Sequence, residues 1–193
     1  MTYKINCIYI ASPLFTPKER EVNEEIDAHL QGEGFPTFLP QRDGFLYVDL
    51  VQELQKQGYM GEQAGDMAMN LIFHLDTYKV GVKCNATVIN LNGRVPDEGS
   101  VVEETMNFMK GYPLVAYCDD LRTLVGGRRN PLVEGLTGFK IVDKIKDIGP
   151  EFRRLEKEGF PTYDSVVETA KKLFDGFDPH DLESLVARAR KIL

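Results

Sequence analysis

The chain has 193 residues and a mass of 21.8 kDa, the size of one ordinary domain with a short appended element. Apolar residues make up 42% and charged residues 27%, as in soluble globular proteins, and no apolar run is long enough to span a bilayer. The formal charge of −7, without a basic stripe, argues against nucleic-acid binding. No secretory signal is visible, and Cys7, Cys84 and Cys118 are too sparse for a disulfide framework or a zinc site. We therefore expect buried, reduced thiols in a cytoplasmic protein that does not bind membranes.

The first two elements have clear boundaries in the sequence. Lys4–Ala11 is short, apolar and partly β-branched, which predicts a buried strand. The helix that follows begins with a capping box, in which Thr16 caps, Pro17 takes the first helical position and Glu19 completes the box. We expect this helix to end near Gly32.

Strand and helix patterns then alternate to about residue 142. Further strands are predicted at Phe35–Leu39, Ala86–Leu91, Pro113–Tyr117 and Phe139–Val142. Between them, residues 46–80 read as helical with a break at 58–61, Ser100–Met109 reads as a helix, and Gln41–Gly44 reads as a loop. This alternation predicts an α/β fold: a single flavodoxin-like (Rossmann-like) parallel five-stranded sheet flanked by helices.

The chain divides into an α/β domain at 1–145 and a helical extension at 146–193 that we expect to pack on it. In the extension, helices are predicted at Glu151–Glu158, at Tyr163–Phe174 and from Asp178 onward. Ligands of open parallel sheets bind beyond the carboxyl ends of the strands. That rule places 12–15, 41–45 and 92–100 together on one ligand-binding rim.

The densest set of reactive side chains lies at 97–104, where a loop meets a helix. Ser100 and Glu103 have the spacing of a capping box, which is a purely structural explanation. Alternatively, Glu103 lies near a helix N-terminus on the rim, where the helix dipole would favour the ionised carboxylate that a nucleophile needs. Glu104 has no assigned role, and we expect it to tolerate replacement by alanine.

Four segments carry a family resemblance. Ile8–Phe15 is similar to the strand Tyr-Leu-Ala-Gly-Pro-x-Phe that opens the nucleoside 2-deoxyribosyltransferase family. Cys84–Leu91 and Asp97–Glu103 are similar to its Cys-Asp-Ala-Val-Val-Ala-x-Leu strand and its Asp-x-Gly-Thr-x-x-Glu signature. Arg129–Leu132 is similar to the Asn-x-Met element that the family lends to a neighbouring subunit. Together they cover roughly residues 5–142 in the family's order.

The resemblance implies transfer of a 2-deoxyribosyl group between nucleobases, with retained configuration. Glu103 would be the nucleophile that attacks C1′, and Tyr9 would orient its carboxylate. Asp76 matches the aspartate that contacts the base, at a spacing one residue longer than the family's, and either Asp76 or Asp43 would protonate the leaving base. The residues implied or expected to contact substrate are Asp97, Phe15, Gly99, Ser100, Asp43 and, from a neighbouring subunit, Asn130 and Leu132.

Some positions depart from the family pattern without removing a reacting group. Thr105 and Asn107 stand where the family has Gly and Ala, Asn85 replaces Asp, Ser12 replaces Gly and Leu132 replaces Met. These changes bear on base specificity and rate. A deoxynucleoside and a free nucleobase are the expected ligands, in a homo-oligomer with shared sites. No cofactor or metal is expected, because the histidines are isolated in the sequence.

Two other functions stay open at this stage. A hydrolase of deoxynucleoside 5′-monophosphates would have the same fold, but Asp97 would repel a phosphate, so it favours an uncharged nucleoside. The basic residues near the rim, Lys18, Arg20 and Arg94, would weaken that argument if they point inward. A non-catalytic nucleotide-binding module would not need Tyr9 and Glu103 to meet.

Overall fold

The computed structural model describes residues 3–93, 95–120, 129–176 and 181–193. Arg94 and the predicted start of the last helix at 178–179 fall outside these ranges, as do residues 126–128, where the glycines predict a turn that leads into Asn130. No helix within the described ranges is long and apolar enough to cross a bilayer.

The described strands form one parallel sheet in the order β2-β1-β3-β4-β5. Their bounds are β1 (Ile8–Ala11), β2 (Thr37–Phe38), β3 (Ala86–Asn90), β4 (Leu114–Tyr117) and β5 (Ile141–Val142). The predicted five-stranded fold is therefore confirmed. β1 is shorter than predicted because the Asn85 side chain, rather than a strand partner, accepts the backbone N–H groups of Asn6 and Cys7.

Helices cover both faces of the sheet. They are α1 (Pro17–Gly32), α2 (Pro40–Asp43), α3 (Tyr47–Lys56), α4 (Glu62–Tyr78), α5 (Glu98–Met109), α6 (Pro131–Leu136), α7 (Ile148–Glu158), α8 (Tyr163–Phe174) and α9 (Leu182–Ile192), with a π-helical turn at Lys79–Lys83. The capping box at Thr16 is present, and the predicted break between α3 and α4 falls at Gly58 and Gly61, which both have positive φ.

Alternation along the strands divides the buried apolar side chains between two cores. Ile8 and Ile10 of β1 face α1 and α7, where they pack with Ile26 and Phe152. Tyr9 and Ala11 face the opposite side, in the core that also includes Val80, Ile89 and Val133. Ile8 and Ile10 thus anchor β1 to the core on one face of the sheet, while Tyr9 points to the opposite face, toward α4 and α5.

Two local predictions are wrong, for identifiable reasons. The segment 41–44 is not a loop, because Pro40 starts the short helix α2 and the Asp43 carboxylate reaches back to accept from the Leu39 N–H at 2.9 Å. The helix α5 begins at Glu98 rather than Ser100, because Asp97 is its N-cap.

The C-terminal helices differ in how firmly they pack. α7 follows the expected domain boundary at 145, yet Ile148, Phe152 and Leu155 lie in the core on the sheet. α8 contributes the buried Leu173, whereas the described α9 has no buried residue. α9 is held to α8 partly by Arg188, whose guanidinium donates to the Leu173 carbonyl at 2.9 Å.

Candidate active site

A cavity of about 460 Å³ opens at the carboxyl edge of the sheet, beside the end of β1. Its volume lies within the range of small-molecule sites. All three predicted rim segments line it, through Ser12, Leu14, Phe15, Gln41, Gly44, Phe45, Asp97, Gly99 and Ser100. α4 adds Ile72, Leu75 and Asp76, and α5 adds Glu103. The three segments therefore lie on one rim, as predicted, and that they bind a ligand there stays a prediction.

Tyr9 and Glu103 meet at this cavity. The Tyr9 hydroxyl donates to Glu103 Oε1 at 2.6 Å. Tyr9 is fully buried, and its ring stacks on Phe38 with centroids 5.5 Å apart, so the hydroxyl is held rigidly. Burial raises the pKa of Tyr9 well above its usual range, and the nearby Glu103 and Asp76 carboxylates raise it further, so the phenol stays protonated and donates. The predicted contact is confirmed.

The start of α5 explains why Glu103 does not cap a helix. Asp97 Oδ2 accepts from both the N–H and the hydroxyl of Ser100, each at 2.8 Å. Since the helix begins at Glu98, Glu103 is its sixth residue and lies beyond the first turn, where the helix dipole acts most strongly. The capping-box explanation for Ser100 and Glu103 is therefore wrong, and so is the expectation that the dipole favours the ionised state.

Burial instead raises the pKa of Glu103 to about 8, and the negative charges of Asp76 and Asp97 add to the shift, although the hydrogen bond from Tyr9 opposes it. The free protein at neutral pH thus holds Glu103 largely as the acid. A bound group that carries positive charge would favour the carboxylate.

Asp76 lies beside the same pair. It lines the cavity from α4, and its carboxyl group lies close enough to Tyr9 to raise the pKa of that phenol. Burial raises the pKa of Asp76, because the charged form loses hydration there. A carboxyl with a raised pKa can hold a proton near neutral pH and give it to a leaving group.

Asp43 is not brought to the cavity. Both of its carboxylate oxygens accept from the Arg42 guanidinium, at 2.8 and 2.7 Å, and Arg42 also pairs with Asp27. The ion pair with Arg42 lowers the pKa of Asp43, which suits it poorly to donate a proton. Of the two candidate acids, the geometry favours Asp76.

Asn130 and Leu132 also lie away from this cavity. The Asn130 side chain caps α6 by accepting from the Leu132 N–H at 2.9 Å. Leu132 is 80% exposed, and among the large apolar side chains of the described residues only Leu193 is more exposed. Within one chain, neither residue completes the site.

Arg20, one of the basic residues noted near the rim, lies at the cavity, although the sequence analysis gave it no role. Its guanidinium donates to the Leu14 carbonyl at 2.9 Å and borders the cavity, where it is the only Lys or Arg among the described lining residues. Lys18, two residues earlier, instead forms an exposed ion pair with Glu21. The sequence signal for this placement is that Arg20 lies near the start of α1, a few residues after the rim segment 12–15.

The outer wall of the cavity is apolar and open. Phe15 is 75% exposed, and Phe45, Leu46 and Tyr47 join it around the opening. The apolar run 45–48 after Gly44 was the sequence signal for this wall. Flat, exposed aromatic rings of this kind can stack on a planar heterocycle.

A second cavity of about 280 Å³ adjoins the first and shares Asp76, Gly99 and Glu103 with it. Its other side is apolar, with Phe73, Val102 and Met106. Over the described part of the chain, no three His, Cys, Asp or Glu side chains converge as metal ligands.

Comparisons with known proteins bear on the family and the fold. The family model for nucleoside 2-deoxyribosyltransferase matches residues 8–176. A conserved protein from Enterococcus faecalis V583 is similar in structure, with a TM-score of 0.59 and 21% identity over 78% of this chain and 99% of its own. A 2-deoxyribosyltransferase from Bacillus psychrosaccharolyticus has a TM-score of 0.54 and 17% identity over 74% of this chain and 90% of its own. At these identities, the similarity to either structure is evidence for the fold alone. The comparison with curated proteins finds no match. The match to the family model over most of the chain means that this protein belongs to the nucleoside 2-deoxyribosyltransferase family.

Proposed function

We propose that this protein transfers a 2-deoxyribosyl group from one nucleobase to another by double displacement, with Glu103 as the nucleophile. The observation that carries the proposal is the 2.6 Å hydrogen bond from Tyr9 to Glu103 at a cavity of nucleoside size. Membership of the family supports the reaction class. A binding module without chemistry would gain nothing from holding these two groups together.

In the first step, a Glu103 carboxylate oxygen attacks C1′ while the N-glycosidic bond breaks and its electrons move to the base. The transition state has oxocarbenium character, which a facing carboxylate stabilises. Tyr9 donates to Oε1, which leaves Oε2 to form the bond to C1′. Positive charge developing on the sugar also favours ionisation of Glu103, whose pKa is about 8 in the free protein.

Asp76 is the proposed acid. It gives its proton to the departing base nitrogen, which its raised pKa and its place on the cavity wall allow. A second base then enters the vacated position, its nitrogen attacks C1′, and Glu103 leaves. Two displacements on the same carbon retain the configuration, and Asp76 recovers the proton that the entering base loses.

Asp97 is the proposed sugar-binding residue. The two hydrogen bonds from Ser100 both end on Asp97 Oδ2, so Oδ1 can accept from a sugar hydroxyl. A 2′-hydroxyl withdraws electrons and disfavours an oxocarbenium-like transition state, so 2′-deoxynucleosides should react faster than ribonucleosides. Phe15 and the apolar wall beside it would stack on the base.

A hydrolase of deoxynucleoside 5′-monophosphates is the second candidate, and Arg20 is the observation that favours it. A guanidinium on the cavity wall can pair with a phosphate. Against it stands Asp97, whose negative charge lies on the same cavity wall, and a bound dianion would also oppose the ionisation that Glu103 needs before it can attack.

We further propose that a second copy of the chain completes each site with Asn130 and Leu132. The exposure of Leu132 supports this, as does the apolar cavity that opens beside Glu103. In a symmetric dimer each chain lends and receives the same segment. Inactive Glu103→Ala mixed with inactive Asn130→Ala should then regain activity, whereas full activity in a strictly monomeric preparation would contradict the idea.

The test of the reaction is to incubate the protein with deoxyinosine and free adenine and to follow deoxyadenosine by chromatography. Deoxyadenosine formation supports transfer. Release of hypoxanthine and deoxyribose without deoxyadenosine would mean that water is the acceptor. No turnover of deoxyinosine, with rapid cleavage of deoxyinosine monophosphate, would replace the proposal with the hydrolase.

A further inference from the structure

Two thiols that are far apart in sequence meet at the amino end of the sheet. Cys7 immediately precedes β1, and Cys84 lies two residues before β3. Parallel pairing of these strands, with Ile8 opposite Ala86, brings the Cys7 and Cys84 Sγ atoms to 2.7 Å from each other. Both are free thiols. From the sequence the two cysteines look isolated, because only the pairing of β1 with β3 brings them together.

The backbone around the pair is fixed before any covalent bond forms. The Asn85 side chain accepts from the Asn6 N–H at 2.7 Å and donates to the Lys4 carbonyl at 2.8 Å. The Asn85 N–H donates to the Cys7 carbonyl at 3.0 Å, and the Cys84 N–H donates to Lys79 at 2.8 Å. Both cysteines are therefore held in register, and a contraction of about 0.7 Å would bring their sulfurs to disulfide bond length.

The two thiols are chemically unequal. Cys7 is partly exposed, whereas Cys84 is 1% exposed. A hydrogen bond from Cys84 lowers the pKa of Cys7, and the positive charge of Lys79 lowers it further. The same contact raises the pKa of Cys84, and burial raises it too. An accessible thiol of lowered pKa beside a buried partner is the arrangement of a reactive and a resolving cysteine.

We propose that Cys7 and Cys84 form a redox-active pair that hydrogen peroxide converts to a reversible disulfide. The Cys7 thiolate attacks one peroxide oxygen, the O–O bond breaks, and the released hydroxide takes a proton to leave as water. The resulting Cys7 sulfenic acid is attacked by the Cys84 sulfur. The S–O bond breaks, the S–S bond forms, and the hydroxide leaves as a second water after taking the Cys84 proton. Two thiols are oxidised and one molecule of hydrogen peroxide is reduced.

The test is intact-mass measurement of the full-length protein, first reduced and freed of reductant, then treated with stoichiometric hydrogen peroxide. The chain should lose the mass of two hydrogen atoms, and titration should fall from three free thiols to one. Digestion should yield a peptide pair cross-linked through Cys7 and Cys84. Dithiothreitol should restore the original mass and all three free thiols. Because the closed loop is long, the oxidised form should melt higher by up to roughly 10 °C.

Two single substitutions make the result specific. Cys118→Ser removes a thiol that bonds to Asn92 elsewhere in the fold, and this variant should still form the disulfide. Cys7→Ser should leave the buried Cys84 unoxidised under the same treatment. Addition of oxygen atoms to Cys7 without a cross-link, or three titratable thiols after treatment, would overturn the proposal. Because the readouts are mass and melting, the result is independent of the glycosyl-transfer proposal.

Discussion

Glu104 should make the protein less stable as pH rises, although it carries no proposed role in catalysis. It is fully buried on α5, and neither carboxyl oxygen has a hydrogen-bond partner among the described residues. Burial raises its pKa to about 8, so the folded protein holds the proton at neutral pH. Because Glu104 is buried, Glu104→Ala should cost stability by leaving a cavity, while its tolerance in turnover stays a prediction.

The size of the effect follows from proton linkage. An unfolded glutamate has a pKa of about 4.3, so above that pH the folded state binds a proton that the unfolded state has lost. The contribution of protonated Glu104 to the free energy of unfolding is fully present below about pH 4. It is lost as pH rises toward 8, where Glu104 ionises in the folded state. Each pH unit costs about 1.4 kcal/mol, so Glu104 alone removes about 3 kcal/mol between pH 5 and pH 7.

Glu104→Gln tests this, because glutamine has nearly the same shape and does not ionise. Urea unfolding of both proteins at pH 5, 6 and 7 should show the variant gaining about 3 kcal/mol relative to the wild type across the range. Glu103 contributes equally to both proteins and cancels. Glu98→Gln, an exposed change on the same helix, is the matched control. Parallel pH curves for wild type and Glu104→Gln would refute the reasoning.

Three further predictions concern the site. Tyr9→Phe removes a hydrogen bond to a carboxylate worth about 1.5–3 kcal/mol, so kcat for base exchange should fall roughly 10–100-fold with little change in KM; a fall in affinity alone would mean that Tyr9 only binds. In an Asp76→Asn background, which removes the proposed acid from the titration, the residual kcat/KM should rise with pH and level off above about 8 if the Glu103 carboxylate attacks, and a rate that falls over that range would show that the acid form is needed. Deoxyadenosine should have a higher kcat/KM than its 5′-monophosphate, and Arg20→Met should widen the ratio because it removes the cavity's cation; a wild-type preference for the monophosphate would favour the hydrolase.

The fold could be predicted because its signals are local. Mostly apolar runs at Ile8–Ala11 and Ala86–Asn90 are typical of strands buried on both faces, and these two strands pair near the middle of the sheet. Thr16 and Glu19 form the predicted capping box, since both partners lie within one turn. Once strands and helices alternate, the parallel sheet and its ligand-binding edge follow from packing rules.

Predictions failed where two local solutions competed. Asp97 and Ser100 both have side chains that can cap a helix, and tertiary contact decides between them: Glu103, the partner that Ser100 would need, bonds to Tyr9 instead. Asp43 looked like a free rim carboxylate, but Arg42 beside it in sequence neutralises it. Neither outcome is visible in residue spacing alone.

Other features depend on which segments meet, and no single stretch of sequence contains them. Cys7 and Cys84 touch only because β1 pairs with β3 in one register. Arg20 borders the cavity because the Gln41 side chain donates to its backbone carbonyl and ties α1 to the segment after β2. The burial that raises the pKa of Glu103 is likewise a property of the assembled cleft.

The most direct test of the central claim compares two isosteric changes at adjacent carboxyls of α5, Glu103→Gln and Glu104→Gln. The measurement is the initial rate of deoxyadenosine formation from deoxyinosine and adenine, with circular dichroism to confirm that both variants are folded. If Glu103 is the nucleophile, Glu103→Gln should lose activity by roughly 10³-fold or more, while Glu104→Gln should stay within a few-fold of the wild type. A folded Glu103→Gln protein that exchanges bases at the wild-type rate would contradict the account.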